Sequence, residues 1–288
     1  YLPWRIYDRL GLSEGHPWRR AIPIKNPMTD DQQTLRTSLL PGLLGVLAYN
    51  ASRSVGDLAV FELGPVYLAD AIPLESLPEE RFHLAAAAMG SLTPKGWTGG
   101  AARADFYYLK GVVEALLERL GCPRPAFEPV GHAILHPGRS AAVSAGGRHL
   151  GVLGEVHPDV ASAMDVPAGA CLLELDFDRL LGLASPRRVY RAIPRFPASS
   201  RDLAAVFPEH VPAAQVEECI RRAGGELLEE VRLFDVYNGD PVPAGHRSMA
   251  YSLVYRASDR TLTEGEVDEA HSRVVDALGR ELGASLRR

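Results

Sequence analysis

The chain has 288 residues (31.2 kDa), 46% apolar and 23% charged, enough material for sizeable cores and of a length that predicts two domains. Its net charge of −5, from 31 basic against 36 acidic residues, excludes a basic nucleic-acid coat over the whole surface. Three widely spaced cysteines without a CxxC pair support neither a disulfide framework nor a cysteine-rich zinc site, and predict a reducing, cytoplasmic setting. The longest apolar run, Leu39 to Tyr49, is broken by Pro41, Gly42 and Gly45, so no membrane span is expected. The opening Tyr-Leu-Pro-Trp-Arg carries no leader pattern and reads as part of something longer.

In chain order, strand-like runs occupy 58–68 and 82–89. Residues 105–120 form an amphipathic helix closed by Gly121 and Pro123. A hairpin follows over 141–156, turning at Gly146-Gly147, and another strand over 170–176. Strands and helices do not alternate strictly, which predicts an α+β domain with an antiparallel sheet. Three prolines and four arginines between 184 and 197 predict an extended linker, with a domain boundary near 193. The two domains are then 1–193 and 194–288.

The second domain reads as strand 201–207 and helix 212–223, ended by Gly224-Gly225. Strands 227–237 and 247–256 follow, joined by a loop containing Asn238-Gly239-Asp240-Pro241. A long helix begins at Thr263, with Glu266 completing a capping box and Val267, Ala270, Val274, Val275, Leu278 and Leu282 on one stripe. Residues 284–288 supply a last edge strand. The order β-α-β-β-α-β is that of a ferredoxin-like sandwich.

Familiar catalytic motifs are absent: there is no GxxxxGK[ST], GxSxG or HExxH. His132 and His136 are flanked by Gly131 and Pro137, which favours a turn with surface histidines over a helical zinc site. His157-Pro158-Asp159 predicts a helix start. Glu174, Asp176 and Asp178 could ligate Mg²⁺, but alternation of acidic and apolar residues favours the solvated face of a strand. No catalytic residue and no metal ligand is therefore assigned.

Several strings together resemble the bacterial phenylalanyl-tRNA synthetase beta subunit, toward its C-terminal end. They are Asn26-Pro27-Met28, Leu35-Arg36-Thr37-Ser38-Leu39-Leu40-Pro41-Gly42, Phe61-Glu62-Leu63-Gly64, His136-Pro137-Gly138-Arg139, Leu153-Gly154-Glu155-Val156-His157-Pro158 and Leu233-Phe234-Asp235-Val236-Tyr237. The resemblance implies a class II synthetase-like antiparallel sheet domain that has lost catalysis, followed by a ferredoxin-fold anticodon-binding domain. It further implies a catalytic alpha subunit as partner (two alpha and two beta), tRNA-Phe as ligand, and ATP and Mg²⁺ used by the complex with none held by these residues.

A class II core holds the ATP α-phosphate with an arginine ending one strand, because a guanidinium matches phosphate geometry. In the comparable segment, Leu68 and Ala69 stand where the arginines would be. In a second comparable run, Glu174 to Arg179, acidic side chains replace glycines, and Arg179 reads as a salt-bridge partner.

For RNA, Met249, Tyr251, Leu253 and Tyr255 form either a stacking stripe or a core set; the matching bulky set Leu203, Ala205 and Phe207 favours core. Arg195, Arg201, Arg247 and Arg256, with the other linker arginines, are then the candidate phosphate contacts. A ferredoxin-like regulatory or RNA-interaction module without a ligase role is the alternative, since fold alone does not fix function.

Overall fold

The computed structural model describes residues 1–93, 96–97, 102–185, 190 and 193–286. The chain divides into two compact units, Tyr1–Val189 and Tyr190–Arg288. Six residues of the expected linker, 186–189 and 191–192, lie outside the described residues, Arg187, Arg188 and Arg191 among them.

The first unit contains, in order, α1 (Arg5–Arg9), α2 (Leu40–Ala51), β1 (Leu58–Leu68), β2 (Glu79–Met89), α3 (Phe106–Arg119), β3 (Pro125–Pro129), β4 (Leu135–Ala145), β5 (Arg148–Val156), α4 (Pro158–Met164), β6 (Cys171–Asp176) and α5 (Phe177–Leu181). Its sheet has the order β1-β2-β6-β5-β4-β3 and every neighbouring pair is antiparallel. One face carries a core built with α1, α2 and α4 (Leu40, Leu44, Leu47, Val160 and Leu172). The other carries a core built with α3 and α5 (Leu109, Val113, Leu117, Leu173 and Leu180).

With both faces covered, β6 between β2 and β5 is buried at every residue. Glu174 and Asp176 are therefore 7% and 8% exposed, which corrects their expected place on a solvated face. Alternating carboxylates pointed to water; here Glu174 accepts hydrogen bonds at the start of α2 and Asp176 caps α5. On β5, Gly151 lies so close to this strand that a Cβ there would sit 2.0 Å from the Glu174 carbonyl oxygen.

The second unit follows the expected order: β7 (Ser199–Pro208), α6 (Ala213–Gly224), β8 (Leu228–Tyr237), β9 (His246–Tyr255), α7 (Glu264–Leu282) and β10 (Ser285–Leu286). Its antiparallel sheet runs β10-β7-β9-β8, the ferredoxin-like arrangement. The Thr263–Glu266 capping box starts α7, and Gly283, at φ +64°, ends it in the left-handed region. One core joins Val216, Ile220, Val267, Val274 and Leu278 from the helices to Leu203, Phe207, Met249, Tyr251, Leu253 and Tyr255 from the sheet. The alternating aromatic set of β9 is thus core, as the pairing of bulky sets predicted. Burial raises the Tyr251 hydroxyl and pushes that of Tyr255 up to about 12.

Candidate functional site

In the first unit a cleft of about 640 Å³ opens beside the β1–β2 connection. Leu68 and Ala69 lie in its wall with Trp18, Thr37, Arg20, Leu74 and Leu77. Glu174 and His83 also line it, together with Asp70, Glu75 and Glu79. Four carboxylates thus face one guanidinium, and that guanidinium donates to the Asp70 carbonyl at 3.2 Å. A triphosphate placed here would meet acidic side chains where its charge needs arginines.

Glu174 is committed to structure. Its two oxygens accept from Ser38 Oγ and the Leu39 backbone N–H, each at 2.7 Å, and one lies 3.1 Å from His83 Nδ1. Leu39 is the N-cap of α2 and has no side chain able to cap it, so a carboxylate from a distant strand satisfies the first turn. Asp176 does the same for α5: it accepts from the Arg179 N–H at 2.9 Å. It also pairs with Arg179 Nε at 3.0 Å and Arg81 at 3.4 Å. Arg179 further donates to the His149 carbonyl at 3.2 Å, the salt-bridge role expected of it. Asp178 Oδ2 accepts from the Phe82 N–H at 2.9 Å. Among the described residues no group of three His, Cys, Asp or Glu is arranged to hold a metal ion.

His136 accepts from the Gly138 N–H at 3.0 Å and serves a turn. His132 corrects the surface reading: it packs edge-on against Trp18 at 5.7 Å, its Nδ1 is buried without a hydrogen-bond partner among the described residues, and burial lowers its pKa. His157 accepts from the Asp159 N–H and starts α4, as the following proline predicted.

The second unit does not bring its candidate arginines into one patch. Arg195 precedes β7, is exposed, and has no hydrogen-bond or ion-pair partner among the described residues. Arg201 pairs with Asp268 of α7 at 2.9 Å. Arg256 pairs with Glu229 at 2.7 Å and donates to the Phe196 carbonyl. Arg201 and Arg256 lie toward the sheet end where Ser199 faces Tyr255, whereas Arg247 lies opposite Phe207 at the other end of β9. From Arg247 to Tyr255 that strand spans roughly 27 Å at about 3.4 Å per residue. Arg247 donates to the Val211 carbonyl at 2.5 Å, and its Nε is buried without a partner among the described residues.

Chemistry on the open face of this sheet escaped sequence reading. The register sets Arg232 opposite Ser252, Asp235 opposite Ala250 and Tyr237 opposite Ser248, all on the face away from the helices. Phe234, 52% exposed, is the extra residue of a bulge between Leu233 and Asp235. A second irregularity follows Leu228, so β8 shows no clean period of two in its sequence. The exposed Phe234 and Tyr237 rings were the available signal.

A model of the phenylalanyl tRNA synthetase beta chain CLM domain matches residues 5–177, and one of the ferredoxin-fold anticodon binding domain matches 194–287. The chain is 50% identical over 283 residues to a phenylalanine–tRNA ligase beta subunit of Symbiobacterium thermophilum, covering 98% of this chain and 31% of that protein. The namesake of Moorella thermoacetica is 51% identical over 287 residues, covering 98% and 35%. That of Syntrophotalea carbinolica is 39% identical over 282 residues, again covering 98% and 35%. The chain spans about a third of the length of these relatives.

Proposed function

The chain belongs to the phenylalanyl-tRNA synthetase beta-chain family, and from that premise we propose that it serves the ATP-dependent joining of phenylalanine to tRNA-Phe as part of a beta subunit. The first unit acts as a non-catalytic scaffold that packs on the catalytic alpha subunit. The second grips the anticodon region of tRNA-Phe. ATP and Mg²⁺ are used in the alpha subunit, the assembly holds two alpha and two beta chains, and it works in the cytoplasm. Among the described residues no helix is long and apolar enough to cross a membrane.

The observation that carries this reading is the ferredoxin-like sheet order of the second unit, matched over 194–287 by an anticodon-binding domain. The acid-lined cleft supports the division of labour, since carboxylates and Leu68 replace the arginines an ATP site requires. Arg195, Arg201, Arg247 and Arg256 remain the proposed phosphate contacts, Arg195 as the one with an unengaged guanidinium among the described residues. Two assays test the proposal on the purified chain. Gel shift with tRNA-Phe should give a salt-sensitive complex, and phenylalanine-dependent ATP–pyrophosphate exchange should be at background. Exchange activity would reject the scaffold role, and absence of any complex would reject the RNA role.

A further inference from the structure

The connection between β8 and β9 carries chemistry that the RNA-binding role does not use. Three asparagines occur in the chain: Asn26, Asn50 and Asn238. The residue after each decides whether the next backbone nitrogen can attack the side-chain amide. Pro27 has no N–H to turn into a nucleophile. Asn50 lies in α2, where its Nδ2 donates to the Val46 carbonyl at 2.9 Å and the helix fixes the backbone. Asn238 precedes Gly239, which has no Cβ to shield its nitrogen.

The fold leaves Asn238 open to this reaction. β8 ends at Tyr237 and β9 begins at His246, so Asn238 stands outside the ladder. It is exposed, and its carboxamide has no hydrogen-bond partner among the described residues. The Gly239 N–H donates to no carbonyl among them either, so no backbone bond has to break before it reacts. Packing also fixes glycine at the attacking position. A Cβ on Gly239 would lie 2.3 Å from Tyr237 Oη, and that hydroxyl donates to the Asp240 carbonyl at 2.9 Å. The turn therefore demands the residue that makes its asparagine reactive.

We propose that Asn238 is a site of spontaneous covalent modification, converted to aspartate and isoaspartate through a cyclic imide with Gly239. Hydroxide removes the Gly239 amide proton, and the nitrogen forms a bond to Asn238 Cγ. The bond from Cγ to the side-chain nitrogen breaks, and that nitrogen takes up a proton and leaves as ammonia. Water then opens the imide. Cleavage of the new Cγ–N bond gives aspartate; cleavage of the original backbone C–N bond gives isoaspartate, with the chain running through the former side chain. No electrons are gained or lost. Both products add one negative charge to an exposed loop. Isoaspartate also adds one carbon to the backbone path, between Tyr237 and its acceptor on Asp240.

The test incubates the whole chain at two mildly alkaline pH values one unit apart, then follows the peptides carrying Asn26, Asn50 and Asn238 by chromatography and mass spectrometry. The Asn238 peptide should gain about 1 Da and split into two isomers, about tenfold faster at the higher pH, while the other two stay unchanged. An isoaspartyl methyltransferase identifies the second isomer by moving a methyl group from S-adenosylmethionine to its free carboxylate. Asn238→Ser should remove that methyl acceptance. The same incubation in urea separates the fold from the sequence: the folded chain should react within about tenfold of the unfolded one, as an unprotected loop does. An unmodified Asn238 peptide, an undiminished methyl label in Asn238→Ser, or a folded rate more than about tenfold below the unfolded one overturns the inference.

Discussion

The Glu174 carboxylate in the middle of β6 accepts a 2.7 Å hydrogen bond from the backbone N–H of Leu39, joining a central strand to the first turn of α2 across 135 positions of sequence. Ser38 Oγ reaches the same carboxylate at 2.7 Å and in turn accepts from the Leu40 N–H at 3.1 Å. Acidic chemistry facing the cleft is thereby converted into a helix cap.

Glu174→Ala should destabilise the first unit by about 3 kcal/mol, because it strands a buried hydroxyl and an uncapped helix start at once. Urea denaturation followed by circular dichroism measures this. A loss within about 0.5 kcal/mol would show that the cap contributes nothing. Glu174→Gln keeps the shape and one acceptor, and should fall between Ala and wild type.

Thr263→Ala should cost the second unit about 1 kcal/mol by removing the cap of α7. The linked carboxyl of Glu266 titrates at about 2, held down by the Thr263 backbone N–H first and by Arg260 next. Its folded pKa lies below the unfolded one, so its contribution is complete above pH 4.5 and fades as pH falls toward 2. Melting curves between pH 6 and 2 should therefore show a steeper acid loss in wild type than in Glu266→Gln; parallel curves would contradict the linkage.

Tyr251→Phe should leave tRNA affinity unchanged, since Tyr251 is fully buried and its hydroxyl lies 3.4 Å from the Ala213 carbonyl. Tyr251→Ala should instead cost about 3–5 kcal/mol of stability through the cavity it leaves. Weaker RNA binding by a stably folded Tyr251→Phe would return the β9 aromatic stripe to the RNA surface.

Arg195→Ala should lower the slope of log affinity against log salt by about 0.7–1, the share of one phosphate contact. Arg201→Ala acts on the Asp268 pair, 32% and 59% exposed at the side chains, so its stability cost should stay under about 1 kcal/mol. An unchanged salt slope for Arg195→Ala would remove it from the phosphate contacts.

The second unit was legible because its signals are local. Thr263 and Glu266 mark a helix start three residues apart, Gly224-Gly225 and Gly283 mark ends, and Leu203, Ala205 and Phe207 pair in register with Tyr251, Met249 and Arg247 through simple alternation. Glu174 was misplaced because alternation registers which residues share a face, not what covers that face. Its cover, α2, lies 135 positions upstream. The register of β8 was not legible because irregularities after Leu228 and between Leu233 and Asp235 break the period that sequence reading follows. The four arginines were candidates on residue type alone, whereas in the fold Asp268, Glu229 and the Val211 carbonyl take up three of the four guanidinium groups.

The central claim is that this chain holds tRNA-Phe by its anticodon region, and equilibrium binding of the whole chain to tRNA-Phe and to the same tRNA with a replaced anticodon stem-loop tests it most directly. The account predicts at least tenfold weaker binding of the replaced form at moderate salt. Equal affinity for the two RNAs would contradict it.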